Sequence, residues 1–157
     1  MLKQYESKNI TEFSLQLSTL QRDKHFRDYL GIYLSALINL SRENNFLVYT
    51  NHLDKLLSFV GWENMKDITI IGDVGCYVGA NMKKGSIVVN ENTEYSVGSG
   101  MNGGRVVVEG NVNGGVGNEM SGGEIYLNGN YGGIAWNVQG GNIYHQGEFN
   151  RKKRKGG

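Results

Sequence analysis

The sequence predicts a mainly β fold, a parallel β-helix of about five short coils, on three observations. A glycine-rich motif recurs over residues 67–147, and its successive copies are 19, 19 and then 18 residues apart. Apolar residues inside each copy lie two positions apart, as on one face of a short strand. Glycines stand between the strands, where they let the chain turn sharply. Short strands, glycine corners and a fixed period are typical of a solenoid with stacked coils.

Four apolar columns appear when the copies are aligned, and they predict the core of the solenoid. They are Ile68, Ile87, Val106, Ile125 and Ile143; Ile70, Val89, Val108 and Leu127; Val78, Val97, Val116 and Ile134; and Met82, Met101, Met120 and Val138. An outward column is partly aromatic and consists of Val88, Val107, Tyr126 and Tyr144. It predicts a face packed by the tail, the helices or a partner, because the coils supply too few basic residues for a base-stacking surface.

A polar column predicts a ladder of side-chain hydrogen bonds between coils. It consists of Asp73, Asn92, Asn111 and Asn130. Stacked amides can bond along the axis of such a structure. A metal site is the alternative, and one carboxylate with three amides does not favour it. We therefore assign no metal ligand here.

The first part of the chain, residues 1–66, is predicted to be a helical segment. Apolar alternation over residues 10–17 suggests a short strand, and apolar steps of three and four predict helices over about 21–43 and 51–60. Gly61 is placed as the glycine that ends the second helix. The first coil of a solenoid has unpaired backbone groups, so we expect this segment to cap it.

The C-terminal end of the predicted solenoid, which spans residues 67–149, is less well protected. His145 stands where earlier coils have Val or Leu, and the chain after Gly147 begins a coil that it does not complete. Open strand edges invite pairing, so a protein partner or self-association is expected there. The alternative is that residues 148–157 fold back and cover the edge. Residues 150–157 form a predicted flexible tail that includes 5 of the 16 basic residues.

No catalytic, cofactor-binding or metal-ligating residue can be assigned from the sequence. The single cysteine, Cys76, cannot form an internal disulfide and indicates a structural thiol in a reducing, cytoplasmic environment. His25, His52 and His145 have no partner at ligand or acid–base spacing. The G-x-G-x-x-G match at residues 98–103 precedes a predicted strand rather than a helix, so it is a consequence of the repeat. No apolar run is long enough for a membrane span.

The repeat resembles the GXGXG domain found in the large subunit of glutamate synthase and in formylmethanofuran dehydrogenase. The residues that carry the resemblance are 72–75, 78–89 and 117–129, where the glycines and the Met-x-x-Gly step recur in register. It covers about residues 67–147 and implies a right-handed parallel β-helix with a scaffolding role. The cysteine clusters and the catalytic N-terminal cysteine of those enzymes are absent, so no catalytic residue is carried over.

These observations favour a non-catalytic structural or interaction module, a small subunit or partner of a larger oxidoreductase complex of that kind. One alternative is a hexapeptide-type acyltransferase, in which His145 would be the base, although the 19-residue period does not fit six-residue repeats. A second alternative is anion or nucleic-acid binding through the basic residues 151–155. No small-molecule substrate or cofactor is identified.

Overall fold

The fold is a parallel β-helix with helices at its N-terminal end. A computed structural model describes residues 5–149 of the chain. The strands in this range are β1 Asn45–Tyr49, β2 Asp67–Ile71, β3 Ser86–Val89, β4 Thr93–Tyr95, β5 Asn102–Val108, β6 Val112–Gly114, β7 Gly122–Leu127, β8 Asn142–His145 and β9 Glu148–Phe149. The main sheet has the order β1-β2-β3-β5-β7-β8-β9, and every pair from β1 to β8 is parallel. β4 and β6 form a second parallel pair on another face.

The predicted apolar columns form the core of the solenoid. Strand neighbours are offset by one period, so that Ile68 pairs with Ile87 and Ile87 pairs with Val106. Every residue of the first two columns is buried, as are the first three members of the valine column and of the methionine column. The members contributed by the last coil, Ile134 and Val138, are only partly buried. The core is therefore a continuous stack that ends at the last coil.

The helices differ from those expected from the sequence. α1 spans Ser7–Gln16, a 3₁₀ turn follows over Leu17–Leu20, and α2 spans Phe26–Leu40. Residues 10–17, expected as a strand, are therefore mostly helical, because the buried residues Ile10, Ser14 and Leu17 follow helical spacing. The helix expected over about 21–43 is confirmed, but it begins later and ends earlier.

The second predicted helix, over about 51–60, is wrong, because these residues form the turns of an additional first coil. Phe59, inside this range, has a positive φ angle of 62°, which an α-helix does not contain. The carbonyl groups of Leu57 and Val60 instead accept hydrogen bonds from the next coil. The solenoid thus begins at β1, about one coil before residue 67, and the apolar spacing of this segment reflects burial in a coil.

α1 covers the free edge of β1 with side-chain hydroxyl groups. Thr11 Oγ1 donates to the carbonyl oxygen of Leu47 at 2.7 Å. The backbone N–H of Tyr49 donates to Ser14 Oγ at 3.0 Å. These bonds satisfy edge groups that no further strand pairs. The predicted capping role of the N-terminal segment is confirmed in this form.

α2 covers the rest of the first coil and approaches it very closely at Gly31. Ser35 Oγ accepts the buried N–H of Gly61 at 2.9 Å and lies 3.0 Å from the carbonyl oxygen of Phe59. A Cβ atom added to Gly31 would overlap the carbonyl oxygen of Ser58. Helix and coil are therefore in backbone contact, which only glycine allows at this position.

Substituting Gly31 by Ala should destabilise the protein through this contact. The added methyl group must push α2 away from the first coil, and such overpacking costs about 1–3 kcal/mol. Gly133→Ala is the matched control, because a Cβ there meets no atom within 4 Å. Urea denaturation followed by far-UV circular dichroism gives both free energies of unfolding. Equal values for the two variants would contradict the close packing of α2.

Candidate functional site

The last coil of the solenoid has the most exposed part of the core. Val112, Val116 and Met120 are buried in the preceding coil. The residues stacked on them are Tyr131, Ile134 and Val138, and all three are only partly buried. Trp136, at a corner of the same coil, is 89% exposed. These residues form an apolar surface, which we call the C-terminal end.

β9 covers part of this end. The chain turns at Gln146 and Gly147, and Glu148–Phe149 then pairs antiparallel with β8 through Tyr144 and His145. Folding back of the chain, the alternative considered from the sequence, is therefore found for these two residues. The remaining residues of the predicted tail, 150–157, lie outside the described range. Within residues 5–149, β9 pairs only with Tyr144 and His145 of the last coil.

Trp136 was not predicted as a functional residue from the sequence. The equivalent positions in earlier coils are Ala80, Ser99 and Asn118, so a large aromatic residue at this corner departs from the pattern. A depression of about 220 Å³ is lined by Trp136, Asn137, Val138 and Gln139. An exposed tryptophan side chain is typical of the centre of a protein–protein contact.

The outward aromatic column is packed within the molecule. Tyr126 and Tyr144 stack with ring centroids 4.7 Å apart, and the Arg105 guanidinium lies over the Tyr126 ring at 5.1 Å. Glu124 Oε2 accepts from Arg105 at 3.0 Å, and this hydrogen bond raises the pKa of Arg105. Desolvation and the Glu124 carboxylate raise the pKa of Tyr126. Because both faces of the Tyr126 ring are occupied, that ring cannot stack on a nucleic-acid base.

Cys76 lies beside an ion pair that does not activate it. Arg27 pairs with Glu94, and the Cys76 thiol donates to Glu94 Oε2 at 3.4 Å. Burial raises the pKa of the Cys76 thiol, and the Glu94 carboxylate raises it further. A nucleophilic cysteine needs a lowered pKa. This cluster therefore joins α2 to the second and third coils rather than forming a reactive site.

The three histidines belong to different elements, and among residues 5–149 none of them is part of a group placed to hold a metal ion. His25 stacks on Tyr29 at the start of α2, with ring centroids 4.7 Å apart. Both ring nitrogens of His52 are buried without a hydrogen-bond partner among residues 5–149. His145 Nε2 lies 3.1 Å from the carbonyl oxygen of Gly129, and its ring packs edge-on against Tyr131. The base expected of the acyltransferase alternative thus has its Nε2 engaged within the last coil.

The polar column forms the predicted ladder. Asp73 Oδ1 accepts the N–H of Asn92 at 2.8 Å, Asn92 Oδ1 accepts that of Asn111 at 2.8 Å, and Asn111 Oδ1 accepts that of Asn130 at 2.9 Å. These side-chain oxygens therefore stabilise the stacking of one coil on the next. Within the described part of the chain, no group of three His, Cys, Asp or Glu side chains is placed to hold a metal ion.

The glycine-rich match and an open groove beside α1 do not have the geometry of a nucleotide or catalytic site. The G-x-G-x-x-G match at residues 98–103 runs directly into β5, and no helix follows it within the described chain. The groove, of about 590 Å³, is open and lies between α1 and the outer face of the sheet, lined by residues that include Lys8, Glu12 and Thr69. The Thr11 hydroxyl in this lining is already engaged, because it donates to the carbonyl oxygen of Leu47. None of the helices between residues 5 and 149 could cross a lipid bilayer, since they are too short or too polar.

Comparisons of the chain with protein-family models, curated proteins and solved structures give no match.

The role of Glu94 beside Cys76 can be tested by substitution. Replacing the Glu94 carboxylate by an amide removes the negative charge that opposes thiolate formation, while Arg27 stays nearby. Glu94→Gln should therefore shift the pH profile of Cys76 alkylation by iodoacetamide to lower pH. Glu91→Gln is the control, an exposed glutamate with no contact to the thiol. A profile that is unchanged, or that moves to higher pH, would contradict the proposed role of Glu94.

Proposed function

We propose that the chain is a non-catalytic docking module whose C-terminal end binds a protein partner. The observation that carries this proposal is the incomplete burial of Ile134 and Val138, whose equivalents in earlier coils are buried, beside the exposed Trp136. A solenoid coil without a neighbour leaves apolar surface in contact with water. A partner that covers this surface gains the hydrophobic free energy that the next coil would have supplied.

The rigidity of the solenoid also supports a docking role. Binding to a preformed surface requires little ordering of the chain, so less of the interaction free energy is lost. The partner is expected to present an apolar patch with a pocket for the Trp136 ring. Its surroundings should contain polar groups that bond the exposed backbone of the last coil.

The resemblance of the repeat to the GXGXG domain suggests the class of partner. In both enzyme families that domain resembles a scaffold beside the catalytic domains or subunits. We propose that this chain serves in the cytoplasm as a small subunit or partner of an oxidoreductase complex of the glutamate synthase or formylmethanofuran dehydrogenase type. Flavin, iron–sulfur or metal chemistry would then belong to the partner.

Replacing Trp136 by Ser should release the partner without unfolding the module, because the side chain is almost fully exposed. A central aromatic side chain typically contributes at least about 2 kcal/mol to the binding free energy, so its loss should raise the dissociation constant roughly thirtyfold. The measurement is a quantitative pull-down of the tagged full chain from its native host at low salt. The wild type should retain a stoichiometric partner with a flavin or iron–sulfur absorbance spectrum.

Tyr95→Ser is the matched control for this experiment, since Tyr95 is an exposed aromatic residue on a different face, in β4. The control should retain the partner at wild-type yield. Equal loss in both variants, or no partner bound to the wild type, would reject docking through the C-terminal end. A partner without redox cofactors would reject the oxidoreductase assignment and leave the docking surface standing.

A further inference from the structure

α2 has a second apolar face that points away from the solenoid. Its buried side, which includes Phe26, Leu34 and Ile38, packs on the first coil. Every exposed residue after Asp28 on this helix is apolar or aromatic: Tyr29, Tyr33, Ala36 and Leu40. We call these four residues the outer stripe. Tyr29 is 63% exposed and Leu40 is 78% exposed. A surface helix normally has a polar outer face, so we expect this stripe to be buried against another protein surface.

The spacing of the outer stripe matches the seam of a paired helix. The steps from Tyr29 to Tyr33, Ala36 and Leu40 are four, three and four residues, the spacing of alternating seam positions in a coiled coil. This series is the same when read from either end. An antiparallel second copy of α2 would therefore place Tyr33 opposite Ala36 and Tyr29 opposite Leu40. Each large side chain at the centre then meets a small one, which allows close packing.

The charges at the two ends of the outer stripe are also self-complementary. Asp28 precedes the stripe and Arg42 follows it, and both are exposed. Neither has an ion-pair partner among residues 5–149. In an antiparallel pair, each Asp28 comes level with the partner copy's C-terminal turn and its Arg42. The antiparallel helix dipoles favour the same arrangement.

We propose that the chain forms a two-fold symmetric dimer through the outer stripe of α2. The partner of the outer stripe is a second copy of this chain, because the spacing, side-chain sizes and charges of the stripe complement those of a copy related by a two-fold axis. Such self-complementarity is the property of an isologous interface. A different helical partner would need no such symmetry in this chain. The inference does not depend on the proposed docking function, since α2 and the C-terminal end lie at opposite ends of the solenoid.

The dimer would have a consequence for docking. α2 lies over the first coil, so the two C-terminal ends remain free. Each lies about five coils, or roughly 24 Å, from the first coil along the solenoid axis. One dimer therefore presents two identical docking surfaces. A partner assembly that repeats the complementary patch would be bound at both ends, with a gain in avidity.

The size of the contact sets the concentration for a test. A helix of 15 residues is about 22 Å long, so the contact is smaller than the roughly 800 Å² per partner of a standard interface. We expect a dissociation constant on the order of 10 µM. Sedimentation velocity of the full chain from about 1 to 200 µM should show a shift from the 17.4 kDa monomer to a species of twice that mass.

Leu40→Glu should abolish the dimer in this concentration range, because it places a charge in the apolar seam of both copies. Leu15→Glu is the control, an exposed leucine on α1 outside the outer stripe, and it should dimerise like the wild type. Both substituted side chains are solvent-exposed, so matching circular dichroism spectra and melting temperatures are expected.

Charge reversal tests the antiparallel arrangement. Asp28→Arg and Arg42→Asp should each weaken dimerisation by roughly threefold to tenfold, since each change affects two symmetric pairs. Combining them should restore affinity to near the wild-type value.

The proposal would be overturned by a wild type that is monomeric at about 200 µM, by a Leu40→Glu dimer as tight as the wild type, or by no recovery in the double reversal. Loss of the dimer in Trp136→Ser would instead locate self-association at the C-terminal end, and would also overturn it.

Discussion

Hydrogen bonds between successive coils hold the structure in register, and they depend on one repeated corner. The N–H groups of Gly79, Gly98 and Gly117 donate to the carbonyl oxygens of Val60, Val78 and Val97 at 2.8–3.0 Å. Each of these glycines has φ between 66° and 72°. Because the corner recurs at the same point of each coil, a side chain in one coil lies directly above its equivalent in the next. The apolar columns and the asparagine ladder both follow from this register.

Hydrogen bonds between coils satisfy the backbone inside the stack, but the first and last coils each have one side without a neighbouring coil. The chain covers these two ends in different ways. At the first coil, Thr11, Ser14 and Ser35 supply the hydrogen-bond partners that another strand would supply. At the last coil, the described chain supplies only the two residues of β9. The difference explains why the core residues Ile134 and Val138 of the last coil are only partly buried. Binding is expected where the repeat ends without a complete cover.

The sequence predicted the interior of the solenoid well because each coil repeats the environment of its neighbours. It failed at the first coil, where residues 50–56 interrupt the period and Asn64 stands in the methionine column. The Val60–Gly61 step lies 18 residues before Val78–Gly79 and could have revealed this coil. The apolar spacing of Leu53, Leu57 and Val60 predicted a helix instead, since periodicity alone cannot tell a buried coil corner from a short helix.

The two proposed binding surfaces differ in how far the sequence could locate them. The C-terminal end was predicted from His145 and the incomplete coil, since a departure from a repeat is visible in the sequence alone. The outer stripe of α2 was not, because apolar steps of three and four residues predicted only that a helix is present. Apolar periodicity identifies a helix but does not say how many faces it buries. Only the position of α2 on the solenoid separates Leu34, which the first coil covers, from Leu40, which it leaves in water.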